Sequence, residues 1–120
     1  MESILTSIKK LLGITEEYTH FDADLVIHIN SVFMILNQLG VGPSGGFSIA
    51  GEYEKWSDFL PDFQDYEPVK SYMYLKVKLL FDPPLSSSVM ESTKSLISEL
   101  EYRLCTAAEL NATKEVSSNE

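Results

Sequence analysis

The stretch that decides the fold is residues 22–40, DADLVIHINSVFMILNQLG. Its apolar residues recur every three or four positions, which is the period of one face of an α-helix. They are Leu25, Val26, Ile29, Val32, Phe33, Leu36 and Leu39. Asp22 or Asp24 is suited to cap the start of this helix, and Gly40 is suited to end it. The sequence therefore predicts a helix of roughly 25 Å with a broad apolar stripe.

The same helix carries a second apolar face. Ile27 and Met34 lie one heptad apart on the side opposite the main stripe, with the small Ser31 between them. One face is enough to fill the core of a single domain, so the other needs a second layer of this chain or a neighbouring subunit. We therefore predict that Ile27 and Met34 are protein-contact residues.

Three further main helices are predicted around this one. The first covers residues 3–12, where the apolar residues share one face. The next covers residues 68–81, is apolar around most of its circumference, and ends at the helix-breaking sequence Asp-Pro-Pro. The last opens with the capping-box pattern of residues 88–91, Ser-x-x-Glu. A helix that is apolar on most sides, such as the one at 68–81, is expected to be buried.

Two segments of unusual composition separate these helices. Residues 40–51, GVGPSGGFSIAG, contain five glycines and predict a loop. The loop lacks the Lys-Ser/Thr pair of a phosphate-binding loop, so a connection between helices is the better interpretation. Residues 52–67 are acidic and aromatic, with one helical turn at 56–60. The predicted fold is all-α, a small bundle of about four main helices with a Gly-rich loop and an acidic aromatic segment.

The chain is short enough for one domain. We assign residues 1–108 to the helical domain. Residues 109–120 are polar and lack a periodic pattern, so we expect a disordered C-terminal tail.

The aromatic residues of the acidic segment have two interpretations. They are Tyr53, Trp56, Phe59, Phe63 and Tyr66. Aromatic side chains in an exposed segment are typical anchors of protein interfaces, whereas the alternative is core packing under a loop. We predict contact roles for Trp56, Phe59 and Tyr102, the last on the polar side of the final helix. For an interface residue, Trp56→Ala should lower assembly and leave helix content unchanged.

Charge and residue types limit the classes of function. Acidic residues number 18 and basic residues 9, a net charge of −9, which argues against binding to nucleic acid or to anionic lipid. A single cysteine excludes an intrachain disulfide and a Cys-rich zinc site. His20, Asp22 and Asp24 offer three metal-ligand types, but capping by the aspartates explains them better. With no catalytic signature, we expect no enzyme activity, no cofactor and no metal, and no apolar run predicts a membrane span.

Three segments together resemble a known family. They are residues 22–43, residues 56–59 (WSDF), and residues 69–104, which include VKSYMYLKVKLLFDPP and VMESTKSLISELEYRL. The order and spacing of the helices, with the Asp-Pro-Pro break before the last one, resemble the head–tail connector proteins of long-tailed phages. These are also called adaptor or head-completion proteins.

The resemblance implies a specific role. Copies of a small helical bundle would form a ring that docks under the phage portal protein and offers its other surface to the next connector or tail-completion protein. Genome DNA would pass through the ring without specific binding. The location would be the neck of the virion, and the host cytoplasm during assembly. The alternative is a small helical regulatory or adaptor module that binds another helix in a groove, as a monomer or dimer.

Overall fold

The structure, a computed structural model, describes the backbone of residues 2–60 and 67–118, and the side chains of residues 2–60 and 67–110. Five helices form: α1 Ile4–Leu12, α2 Asp22–Gln38, α3 Trp56–Phe59, α4 Glu67–Phe81 and α5 Ser87–Ser118. Within those two ranges there is no β-strand, only an isolated antiparallel bridge between Ser3 and Lys55. The prediction of an all-α bundle is confirmed. Pro61, which follows the predicted helical turn, and the aromatics Phe63 and Tyr66 lie outside the described residues.

Helix α4 is the centre of the bundle. It packs against α1, α2 and α5, which explains why its sequence is apolar around most of its circumference. Tyr72 and Met73 are completely buried, as are Val69 and Val77 on the same helix. Burying side chains of this size contributes about 1.5–3 kcal/mol each to stability. The other core residues are Ile4, Leu5, Ile8, Leu25, Ile29, Val32, Phe33, Leu36, Ile49, Trp56, Phe59, Ile97 and Leu104.

Helix α1 has a well-formed cap at each end. The Ser3 hydroxyl accepts a hydrogen bond from the Thr6 amide at 3.1 Å. At the other end Gly13 adopts a φ of +81°, a conformation that favours glycine, and lets the amide of Ile14 donate to the carbonyl of Lys9 at 2.8 Å. These caps fix α1 at the length that its apolar pattern predicts.

A lysine on α1 is buried, contrary to the usual position of lysine at a protein surface. Only 2% of the Lys9 side chain is exposed. Its Nζ donates to the carbonyl oxygen of Glu16 at 3.0 Å and lies 2.9 Å from Oδ1 of Asp22. Lys9 thus joins α1, the loop that follows it and the first turn of α2.

Replacing Lys9 with alanine should lower the free energy of unfolding by about 3 kcal/mol, because Asp22 would lose its buried partner. Its neighbour Lys10 is a matched control, since its ammonium pairs with Glu2 at the protein surface. Lys10→Ala should cost about 1 kcal/mol or less. Urea denaturation followed by circular dichroism measures both. Equal losses for the two variants would show that the buried contact of Lys9 does not stabilise the helix junction.

The starts of two helices differ from the predicted caps. The N-cap of α2 is Phe21, whose side chain makes no capping hydrogen bond, and Asp22 and Asp24 lie in the first turn instead. Acidic side chains are favourable there because of the helix dipole, and Asp22 also forms the ion pair with Lys9. The capping box predicted at Ser88 is not formed. The helix starts earlier, and the Ser86 hydroxyl accepts from the amide of Val89 at 3.4 Å.

Helix α5 is longer than predicted. Its backbone continues to Ser118, past the boundary expected at Ala108. At 1.5 Å per residue, its 32 residues span roughly 48 Å, whereas the 15 residues of α4 span roughly 22 Å. Only part of α5 can therefore pack against α4. The division into a domain and a tail at residue 108 stays a prediction.

Candidate interaction surfaces

The outer face of α2 remains uncovered within the chain. The side chains of Ile27 and Met34 are 63% and 67% exposed. Ser31 between them donates its hydroxyl hydrogen to the carbonyl of Ile27 at 3.0 Å, so this hydroxyl donor already has a hydrogen-bond acceptor within the helix. The predicted second apolar face of this helix is thus confirmed, and we call the exposed residues Ile27, Ser31 and Met34 the α2 stripe. A contact role for Ile27 and Met34 stays a prediction.

A cleft adjoins the α2 stripe at Met34. Its volume is about 400 Å³, and the Gly-rich loop forms its opposite wall. Its lining consists of Phe33, Met34, Asn37, Gln38, Gly45, Gly46, Phe47 and Ser48. The cleft continues the stripe into a concave site of mixed lining, in which the side chains of Met34 and Phe47 lie beside the amides of Asn37 and Gln38. None of the described residues that line it is charged, so it offers no ionic partner to a charged ligand.

The Gly-rich loop is held against α2 by one asparagine. The Nδ2 of Asn30 donates to the carbonyl of Ile49 at 2.9 Å, and its Oδ1 accepts from the amide of Ile49 at 2.8 Å. Ile49 itself is buried in the core. The two hydrogen bonds replace the partners that a β-strand would give Ile49. Sequence reasoning missed this role because one asparagine in an apolar helix carries no distinctive pattern.

Trp56 and Phe59 do not lie on a surface. They are 3% and 2% exposed, respectively, and belong to the core. The Trp56 indole nitrogen donates to the Ser7 hydroxyl at 2.9 Å, and the ring of Phe59 lies 4.7 Å from that of Phe33 and 5.4 Å from that of Phe47. The contact role predicted for Trp56 and Phe59 is therefore corrected: the structure places them where the alternative of core packing puts them. They have no surface to offer a partner in this conformation.

Gly42 allows this aromatic cluster to form. Its φ is +94°, and a Cβ atom there would lie 2.8 Å from Cζ of Phe59 and closer still to Cε1. Gly42→Ala should therefore lower the free energy of unfolding by about 3 kcal/mol, the combined cost of a left-handed backbone and overpacking. Gly45→Ala is the control, because nothing lies within 4 Å of its added Cβ and its φ is not in the left-handed region. Thermal denaturation compares them. A Gly42→Ala protein as stable as Gly45→Ala would contradict the predicted overlap.

Helix α5 presents a second exposed apolar surface. Val89 and Leu96, one heptad apart, are 51% and 46% exposed, although the sequence places them on the same stripe as the buried Ile97 and Leu104. They line a shallow groove together with Ser88, Ser92 and Thr93. Tyr102, also predicted as a contact residue, is 73% exposed on the same helix. We call Val89, Ser92 and Leu96 the α5 stripe.

A buried phenol lies where α4 meets α5. The hydroxyl of Tyr72 on α4 is fully enclosed. Burial raises the pKa of Tyr72 above its ordinary value, and the neighbouring carboxylate of Glu101 on α5 raises it further. The phenol therefore stays protonated and polar at the centre of the helix packing, without a role as an acid or base near neutral pH.

Two of the candidate metal ligands, His20 and Asp22, each contact another residue of the chain. The ring of His20 packs edge-on against Phe21, with centroids 4.8 Å apart, while Asp22 is bound to Lys9. In the part of the chain that the structure describes, no three His, Cys, Asp or Glu side chains are grouped to hold a metal ion. Over the same residues, no helix is long and apolar enough to cross a membrane.

Residues 4–111 match the sequence model of a family described as phage connector protein. The match covers most of the chain, from the start of α1 into α5. The chain belongs to the phage connector protein family. It is thus a structural protein of the phage connector type, and the resemblance noted in the sequence is confirmed. The comparisons with curated proteins and with solved structures gave no match.

Proposed function

We propose that this connector protein assembles into a ring that joins the portal to the tail and surrounds the DNA channel. The observation that carries the proposal is the α2 stripe, an apolar helix face that the chain leaves uncovered in a member of the connector family. Exposed apolar surface of this kind marks sites of protein association. A ring needs such surface on every copy.

A ring also needs two different surfaces on each copy, because a head-to-tail contact joins unlike faces and closes when the rotation permits. The described residues offer two, one on α2 and one on α5. Both helices pack against α4, so the positions of the two stripes are fixed relative to each other. This arrangement supports a repeating contact more directly than a single groove for one helix, which a regulatory or adaptor module would need.

The acidic composition suits the proposed channel. A net charge of −9 per chain repels phosphate groups, so DNA slides through the ring without being bound. In this proposal one rim of the ring contacts the portal protein and the other contacts the next connector or tail-completion protein. The ring resides in the neck of the virion, and its subunits are in the host cytoplasm during assembly.

The proposal is tested by the mass of the purified protein, alone and mixed with a portal ring, using light scattering coupled to size-exclusion chromatography. We expect a single species that contains many copies of the chain, either free or bound to the portal. The portal ring without connector and the connector without portal are the controls. A chain that stays monomeric or dimeric and does not comigrate with the portal would contradict the proposed function and favour an adaptor module.

A further inference from the structure

We propose that the α2 stripe of one copy packs antiparallel on the α5 stripe of the next copy, which is the contact that builds the ring. The inference rests on the proposed function and specifies its interface. Three features indicate that a second copy of this chain covers the α2 stripe: the spacing of the two stripes, their polar groups and their charges.

The two stripes have matching shapes. Each has two large apolar residues one heptad apart, about 10.5 Å along the helix, with a serine between them. On α2 these are Ile27, Ser31 and Met34, and on α5 they are Val89, Ser92 and Leu96. In antiparallel packing with Leu96 over Ser31, Met34 reaches Ser92. Leu96 and Met34 then each enter the gap above a serine, as ridges enter grooves in helix packing, while Ile27 and Val89 lie at the two ends of the contact.

The polar group at the centre of the α2 stripe tolerates being covered. The Ser31 hydroxyl already donates to the carbonyl of Ile27, so covering it with Leu96 does not leave a buried donor without an acceptor. Beside it, the exposed residues from Ile27 to Gln38 on α2 include no charged side chain. On a chain with a net charge of −9, a neutral helix face is where a second copy approaches with least repulsion.

The same register pairs opposite charges at one end. Asp24 lies seven residues before Ser31, and Arg103 lies seven residues after Leu96, so the two side chains face each other in the antiparallel arrangement. Arg103 is the only arginine of the chain, is 70% exposed, and pairs with Glu99 on its own helix. A guanidinium has five donors, so Arg103 can bind Asp24 of the next copy in addition to Glu99.

Disulfide trapping tests this contact in the assembled protein, in a Cys105→Ser background that removes the only native thiol. The double variant Ser31→Cys/Leu96→Cys, oxidised under assembly conditions, should give a ladder of covalent multimers on a non-reducing gel. Ser31→Cys/Tyr53→Cys is the control, because Tyr53 is exposed beside Thr6 and Lys10 of α1, where no residue of either stripe lies, and it should give no ladder. A disulfide forms only when the two Cα atoms approach within about 7 Å, so the ladder reports a direct contact.

A charge exchange checks the register separately. Asp24→Arg and Arg103→Asp should each weaken assembly, and the double variant should restore it, because every contact then again has one residue of each charge.

A ring of unchanged mass without the 31–96 ladder, or a double charge variant no better than the single ones, would overturn the contact while leaving the ring in place. Efficient cross-linking of Ser31→Cys alone would overturn it in favour of a two-fold α2–α2 contact. Failure of the unmodified chain to assemble, alone or with the portal, would overturn the proposed function itself.

Discussion

Trp56→Ala should destabilise the protein by about 4 kcal/mol, a large share of the stability of a domain of this size. The indole is 3% exposed and packs in the aromatic cluster with Phe33. Alanine would leave a cavity and would remove the hydrogen bond from the indole nitrogen to Ser7. Because Ser3, Ile4 and the segment before α3 are joined by backbone contacts, the start of α1 should loosen as well.

Chemical denaturation followed by circular dichroism at 222 nm measures this loss, since the variant lacks the only tryptophan and has no indole fluorescence. The stability of Trp56→Phe should lie between those of the unmodified protein and Trp56→Ala, because phenylalanine keeps most of the apolar volume but lacks the indole donor. Tyr53→Ala, three residues away on an exposed side chain, should change stability by about 0.5 kcal/mol or less. If Trp56→Ala unfolds at the same urea concentration as the unmodified protein but fails to assemble, Trp56 is a contact residue after all.

The long helices were predictable because periodicity is a local property. The stripe of Leu25, Ile29 and Leu36 fixes which face of α2 enters the core, and the helix cannot rotate without exposing it. Because the core takes up that face, Ile27 and Met34 on the opposite side of the helix are expected to remain uncovered. The same reasoning holds for α4, whose near-continuous apolar surface requires neighbours on several sides.

The position of Trp56 and Phe59 was not predictable in the same way, since a four-residue helix has no period that distinguishes inside from outside. Their burial depends on contacts between residues far apart in the sequence. Asn30 holds Ile49 at the core, and Gly42 leaves room for the ring of Phe59. A glycine-rich segment indicates a loop but does not indicate what the loop covers.

The apolar residues of α5 show a further limit of prediction from the sequence. Val89 and Ile97 lie on one apolar face by the helical period of the sequence, yet Val89 is half exposed and Ile97 is buried. Periodicity identifies an apolar face but not the length over which another helix covers it. Here Val89 and Leu96 stay about half exposed although Ile97, the next residue after Leu96, is buried, so the other helices cover only one side of this face.

Met34→Asp should weaken assembly strongly and leave the fold intact. Met34 is 67% exposed in the single chain, so the substitution should change the free energy of unfolding by about 0.5 kcal/mol or less. In a contact that covers the α2 stripe, the new carboxylate would be buried without a partner, at a cost of about 3 kcal/mol. That cost corresponds to a loss of association on the order of a hundredfold. Ile27→Asp should have the same effect, because it lies on the same face.

Analytical ultracentrifugation over a range of protein concentrations measures the association, and urea denaturation of the same samples verifies the fold. Tyr53→Asp is the matched control, as it adds the same charge at a position that is 82% exposed and distant in sequence from both stripes. It separates a specific contact from general repulsion between chains that are already acidic. If Met34→Asp and Tyr53→Asp assemble equally well, the α2 stripe is not part of the contact between copies, and the exposed faces of α5 with Leu96 and Tyr102 become the next surfaces to vary.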